Sequence, residues 1–292
     1  MHKALNKSTV HHFADATNLL FSDKDPKVIR KTMNRELELL FEWLCANRLS
    51  LNVGKTEFII FRPPRMNLEN RIVLTLNHKK IFESRKIKYL GLIIDDRLTW
   101  KFHINELCKK LNRSVGMLYK IRHLCPKTVL RSLYFSIFNS HLVYGLPVWG
   151  NADKIYIEKI NILQKKAIRA ITFSDYKAHS LPIFKNLEIL SIKDLYRYQV
   201  SSLMWDLDHE TLPSSISSYF TKIRNVHNHL TRLADTDKLS VIKTNTKRYG
   251  LKSFKIEGAT TLNSLKDQEM YTNARSKTDF LRKLKLAFLE IY

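Results

Sequence analysis

Apolar and polar positions change their rhythm near residue 100. Before it, the runs are short. Val10-His11-His12-Phe13 and Ala16-Thr17-Asn18-Leu19-Leu20-Phe21 flank Asp15, a pattern that predicts a hairpin with one carboxylate at its tip. Asp25-Pro26 then marks a helix start, since Asp caps and Pro suits the first turn. Ile29, Met33, Leu37, Leu40 and Leu44 share one helical face, with Lys27, Arg30, Lys31, Arg35, Glu38 and Glu42 largely elsewhere. A strand is expected over Glu57–Phe61, closed by Pro63-Pro64. Arg71–Leu76 and Ile87–Ile94 are two further strand-like runs, with Asn77-His78-Lys79-Lys80 as a turn before Ile81-Phe82. The first hundred residues therefore predict an α+β arrangement.

After Trp100 the period becomes helical. Ile104, Leu107, Cys108, Leu111, Val115 and Leu118 form one stripe, and Leu130, Leu133, Tyr134, Ile137, Phe138, His141 and Leu142 form another behind Pro126. Ile155–Ile171 predicts a helix with Ile160, Leu163 and Ala167 inward, and a fourth is expected near Ile192–Leu207. From Ser214 the chain is polar, basic and weakly patterned until Phe280, Leu281, Leu284, Phe288 and Ile291 predict a last helix. The expected divisions are 1–100, 101–210 and 211–292. No repeat of tens of residues is present, which excludes a solenoid.

Charge adds a partner. The 292 residues carry 50 Lys+Arg against 27 Asp+Glu, a net +23. Up to residue 100 there are 18 basic and 11 acidic residues, and 32 and 16 after it. A surplus of this size opposes compactness by self-repulsion and points to a polyanion. Without a lipidation signal or an apolar run of ~18 residues, nucleic acid fits better than a membrane. Cys45, Cys108 and Cys125 are scattered and odd in number, which predicts free thiols in an intracellular protein. The N-terminus lacks the apolar core of a signal peptide, and a strand begins almost at once, so the chain is expected to be the back part of something longer.

Several segments, in order, resemble the reverse transcriptase of non-LTR retrotransposons, the jockey-like group of LINE elements. Phe13-Ala14-Asp15-Ala16 resembles the family's F/Y-A-D-D hairpin. Trp43, Asn47, Leu49, Leu51, Asn52, Lys55 and Thr56 follow its W-x-x-x-N-x-L-x-L-N-x-x-K-T run. Tyr89-Leu90-Gly91 and Asp95, with Trp100 after them, resemble its Y-L-G-x-x-x-D strand pair. Tyr144-Gly145 and Trp149-Gly150 resemble its thumb, and a weaker likeness runs through Arg224-Asn225 and His227. The resemblance implies a partial polymerase palm, an antiparallel sheet with a packed helix, followed by a helical thumb and a C-terminal basic region.

It also implies chemistry that this sequence only partly supplies. Polymerisation uses two Mg²⁺ ions held by three converging aspartates. Asp15 is one. Ala16 stands where the second is expected, and the third belongs to a strand well upstream of the hairpin, whereas only nine residues precede Val10. An incomplete, inactive metal site with no stably bound Mg²⁺ and no small-molecule cofactor follows. Lys55 matches a lysine that assists the leaving group, or is a solvated lysine beside a strand, and Tyr89, Leu90 and Gly91 would be primer-grip-like. Asp95 and Asp96 are read as turn residues.

Phosphate binding needs only charge and donors. Lys109, Lys110, Arg113, Lys120, Arg122, Lys165, Lys166 and Arg169 are therefore the candidates for a template-primer backbone of RNA and DNA. The rival readings are a co-opted, non-catalytic nucleic-acid-binding protein and an incomplete gene model of an active enzyme. An HNH-type nuclease around Asn225, His227, Asn228 and His229 would need further ligands, and His11-His12 has no partner at ligand spacing.

Overall fold

The computed structural model describes residues 5, 7–14, 16–62, 72–225, 237–246 and 250–292, within two compact units, Met1–Leu98 and Thr99–Tyr292. The fold is α+β, with the strands in the first unit and helices throughout the second.

In the first unit, β1 (Thr9–Phe13) and β2 (Ala16–Leu20) form the expected antiparallel hairpin, closed by the Phe13–Ala16 pair. Helix α1 (Pro26–Ala46) starts as the sequence predicts: the Asp25 carboxylate accepts from Lys27 N–H at 2.8 Å, and Pro26 opens the first turn. Leu37, Leu40 and Leu44 are buried with Val10, Leu74, Leu76 and Ile81, while Ile29 and Met33 pack at the margin of that core. Full burial of each such side chain is worth about 1.5–3 kcal/mol.

Glu36 lies on this same apolar face and is 3% exposed. Its carboxylate accepts from Lys7 N–H, Ser8 N–H and Ser8 O–H at 3.3, 3.2 and 2.6 Å. A buried carboxylate is tolerable only with such donors, and here they tie the chain entering β1 to α1.

The expected Glu57–Phe61 strand shrinks to β3 (Glu57–Phe58), which runs parallel to β5 (Lys79–Glu83), while β4 (Leu74–Leu76) flanks β5 antiparallel. The turn between β4 and β5 is two residues, not four: Asn77 and His78 both take positive φ, and Lys79 and Lys80 join the strand. At the outer edge of β4, the Asn34 amide accepts from Thr75 N–H at 2.8 Å and donates to the Val73 carbonyl at 3.2 Å. The run Ile87–Ile94 also folds back. Leu90 and Gly91 have φ of 45° and 79°, making a tight tip between β6 (Lys86–Tyr89) and β7 (Leu92–Asp95). The single antiparallel sheet that was expected is therefore three small sheets among the described residues, one of them mixed. Pro63, Pro64 and Arg71 lie outside the described residues.

In the second unit, α2 (Lys101–Ile121) buries Ile104, Leu107, Leu111, Val115 and Leu118, as its stripe predicts. Pro126 precedes α3 (Lys127–Leu133), which passes through a π-helical segment, Tyr134–Asn139, into α4 (Ser140–Val143). Leu130, Tyr134, Phe138 and Leu142 are all fully buried, whereas His141 is exposed. Their strict spacing of four would drift by about 40° per step around an ordinary α-helix. The wider π turn absorbs that drift and keeps the stripe on the core.

Next come α5 (Leu146–Trp149), α6 (Lys154–Thr172), α7 (Ser180–Asn186) and α8 (Ile192–Asp208). Gln164 of α6 is fully buried and fully used. Its Nε2 donates to Tyr134 Oη (3.0 Å) and the Leu190 carbonyl (2.9 Å), and its Oε1 accepts from Ile192 N–H (2.9 Å) at the start of α8. Burial pushes the Tyr134 phenol well above its usual range.

The weakly patterned tail is more ordered than its sequence suggests. Helix α9 (Ser214–Ser217) is a single turn, but α10 (Phe254–Lys266) buries Ile256, Ala259, Leu262 and Leu265 against α8. There Gly258 packs closely on α8: a Cβ would lie 2.9 Å from Met204 Sδ, so the Met204 side chain would have to shift. After α11 (Glu269–Thr272), α12 (Lys277–Glu290) buries Phe280, Leu284 and Leu289. Ile291, expected in that stripe, is exposed because the helix ends before it. Phe280 stacks on Trp205 of α8 with centroids 5.0 Å apart.

His103 of α2 is buried between Trp100 and Trp149, with ring centroids 6.3 and 5.5 Å away. Burial, and to a smaller degree the nearby Lys110 charge, lower its pKa to about 4. The unfolded chain takes up a proton near pH 6.5 and the folded chain near 4, so stability is full above about pH 6.5 and falls as the pH drops toward 4, by up to roughly 3 kcal/mol. Urea midpoints at pH 7 and pH 4.5 should separate in the parent and much less in His103→Phe. Equal separation in both chains would refute the assignment.

Candidate nucleic-acid interface

The hairpin of β1 and β2 closes at the Phe13–Ala16 pair. Ala14 takes a left-handed φ of 51°, and Asp15 itself lies outside the described residues. Ala16 is described: it opens β2 opposite Phe13, and its methyl offers a metal no lone pair. His11 and His12 are exposed neighbours on β1, and His12 Nδ1 lies 3.1 Å from Thr17 Oγ1 across the hairpin. Among the described residues no group of three or more His, Cys, Asp or Glu could hold a metal ion. Hard cations need converging oxygen ligands, and position 16, an alanine, supplies none.

The Trp43–Thr56 segment has a local physical meaning. Asn47 ends α1 and its side chain donates to the Trp43 carbonyl at 2.8 Å. Asn52 caps the 3-10 turn Val53–Lys55, accepting from Lys55 N–H at 3.2 Å, while Thr56 Oγ1 donates back to the Asn52 carbonyl at 3.1 Å. The polar residues of the motif thus shape the chain between α1 and β3. This leaves the Lys55 side chain exposed at the end of the turn.

Tyr89, Leu90 and Gly91 are the end of β6 and the positive-φ tip before β7. Asp95 ends β7 buried, with its carboxylate accepting from Arg97 N–H at 3.2 Å, as suits a turn residue. Gly145 and Gly150 bracket α5. Gly145 has φ 62°, and a Cβ on Gly150 would lie 2.3 Å from Tyr196 and 2.7 Å from the Leu146 carbonyl. Trp149 Nε1 donates to the Tyr144 carbonyl at 2.9 Å. Asn225 is exposed in a short 3-10 turn, and His227, Asn228 and His229 lie outside the described residues.

The basic candidates fall on two helices packed together, α2 and α6. Lys109, Arg113 and Lys120 share one stripe of α2, with Lys110 about a quarter turn away, and all four are exposed. Lys109 is paired to Glu106 at 2.7 Å. On α6, Lys165, Lys166 and Arg169 are half-buried.

Two of the arginines hold protein partners. The Arg169 guanidinium donates to the Ala178 carbonyl at 3.1 and 2.7 Å. Arg122 donates to His123 Nε2 at 3.1 Å and lies over the rings of Tyr119 and Phe173, 5.1 and 5.6 Å from their centroids. Lys110, Arg113, Lys120, Lys165 and Lys166 form no ion pair among the described residues. Phe173 and Tyr119 escaped the sequence reading: Phe173 sits just past a helix, where periodicity carries no signal, and Tyr119 lies off the apolar stripe.

No family model and no solved structure matches the chain. Curated proteins do. Over 187 residues the chain is 25% identical to the RNA-directed DNA polymerase from mobile element jockey of Drosophila melanogaster, which takes in 62% of this chain and 20% of that protein. Over 161 residues it is 25% identical to the probable RNA-directed DNA polymerase from transposon X-element of the same species, 52% of this chain and 17% of that protein. The Pol polyprotein from the type-1 retrotransposable element R1 of Bradysia coprophila is 22% identical over 199 residues, 67% and 19%. The chain spans about a fifth of the length of these relatives. The likeness carried by the hairpin, the Trp43–Thr56 run and the Tyr89–Asp95 pair thus agrees with similarity along much of the chain, and the chain is similar to a part of the RNA-directed DNA polymerases of jockey-like non-LTR retrotransposons.

Proposed function

We propose that this chain is the part of a non-LTR retrotransposon reverse transcriptase that grips template and primer. In this reading the first unit is the end of the polymerase palm, and α2 through α8 are its thumb. Residues after 210 form a C-terminal basic region. The observation that carries it is the pair of packed helices, α2 and α6, with Lys110, Arg113, Lys120, Lys165 and Lys166 outside any ion pair among the described residues. Such charges bind the phosphates of RNA and DNA without reading sequence. Tyr89, Leu90 and Gly91, at the tip between β6 and β7, are the primer-grip-like element of this reading.

Catalysis is a separate matter. A divalent cation belongs to the chemistry of the parent family, where it activates the primer hydroxyl and steadies the leaving group. Here Ala16 stands beside Asp15 where the resemblance expects a second carboxylate ligand. With the site short of ligands, Lys55 has no leaving group to serve.

The 292-residue chain is therefore expected to give no templated product in a primer-extension assay with Mg²⁺, and neither is Ala16→Asp. Templated extension by either protein would overturn this part of the reading. For the grip, affinity for a primer-template should fall steeply as salt rises, and a flat response would overturn it.

A further inference from the structure

At the C-terminal ends of α2 and α6 four side chains meet. Arg122 lies over the Tyr119 and Phe173 rings, and His123 meets the Phe173 ring edge-on at 5.5 Å. Tyr119 and Phe173 nevertheless remain 37% and 43% exposed. Phe173 follows α6 in the left-handed region, φ 57°, with its N–H on the Arg169 carbonyl. Arg48, Glu188 and Glu210 take the same backbone conformation at other helix ends, where charged side chains face water. An aromatic ring at such a position gains no solvation. Its use must come from what it touches.

We propose that Tyr119, Arg122 and Phe173 form a stacking platform for an unpaired base of single-stranded nucleic acid. Aromatic rings and a guanidinium plane are the groups on which bases stack, and every base has a π face, so the contact is tolerant of sequence. The occupant is argued from charge. Lys120 lies one residue from Tyr119 on α2, and Lys166 and Arg169 lie in the last two turns of α6, so the platform stands where a phosphate backbone would be drawn. Arg122 changes role as a result: its face serves a base, and the lysines serve the backbone. The proposal rests on the nucleic-acid reading of α2 and α6, and it adds that bases contribute beyond phosphates.

Fluorescence anisotropy separates the two. The full chain is titrated into a labelled thymidine oligomer of about 12 nucleotides and into an abasic oligomer with the same number of phosphates. The thymidine oligomer should bind about tenfold tighter. Phe173→Gly removes the ring and suits the left-handed backbone, so the chain stays folded. It should lower thymidine affinity to the abasic level and leave abasic affinity unchanged, while Phe173→Trp keeps the difference. Tyr119→Leu, away from the helix end, should reduce the same difference.

Equal affinity of the parent chain for both oligomers, with steep salt dependence, overturns the platform and leaves the basic helices standing. Failure of both oligomers to bind at low salt overturns both.

Discussion

Gln164→Leu is expected to cost the second unit on the order of 3–5 kcal/mol, a large share of the stability of an ordinary domain. The glutamine is fully buried, and each of its amide atoms has a partner that is buried too. Leucine fills similar space but leaves the Leu190 carbonyl, the Ile192 N–H and the Tyr134 hydroxyl unpaired, at about 1–3 kcal/mol for each group that water cannot reach. Ile192 N–H is among the first donors of α8, which the helix cannot satisfy internally. Gln164 therefore caps α8 from a neighbouring helix. Urea denaturation measures the loss, and a change below about 1 kcal/mol would refute the role. Adding Tyr134→Phe should recover part of it, because the orphaned hydroxyl disappears.

The second large effect concerns binding. Changing Lys110, Arg113, Lys120, Lys165 and Lys166 together to glutamine should lower primer-template affinity more than about a hundredfold at low salt. It should also reduce the slope of log affinity against log salt by up to about 4.5, since each phosphate contact contributes about 0.9. None of the five belongs to an ion pair among the described residues. The urea midpoint should therefore move little, which separates lost contacts from lost folding. An unchanged salt slope would mean that the phosphates are held elsewhere.

Legibility in the sequence followed the strength of each local signal. The α2 stripe and the Asp25-Pro26 start were readable because a 3.6-residue period and a capping carboxylate each have few alternatives. The strands were harder. Their ends are set by two-residue turns at Asn77-His78 and Leu90-Gly91, and neither pair is the Asn-Gly or Asp-Gly that announces such a turn. Glu36 and Gln164 were missed for one physical reason: pattern reading sends polar residues to water, whereas these two satisfy backbone groups inside. Helix α10 hid because Gly258 and Ala259 make a close-packed face with little hydrophobic signal. At the interface, the basic residues were readable by type and spacing. That Arg122 and Arg169 are held by protein groups was not, since Phe173 lies far from Arg122 in sequence and the Ala178 carbonyl is a backbone group beyond the end of α6, which no side-chain pattern marks.

Asn34 bears on how copies of this chain meet one another. The outward N–H of Thr75 and carbonyl of Val73 are the groups through which a strand from a second molecule would add to β4, and the Asn34 amide presents them with the donor and acceptor of a missing neighbour. Among the described residues, one side chain thus ends the sheet as a counterfeit strand. An intruding chain would have to displace it before gaining its first hydrogen bond, which favours solitary copies over stacked ones.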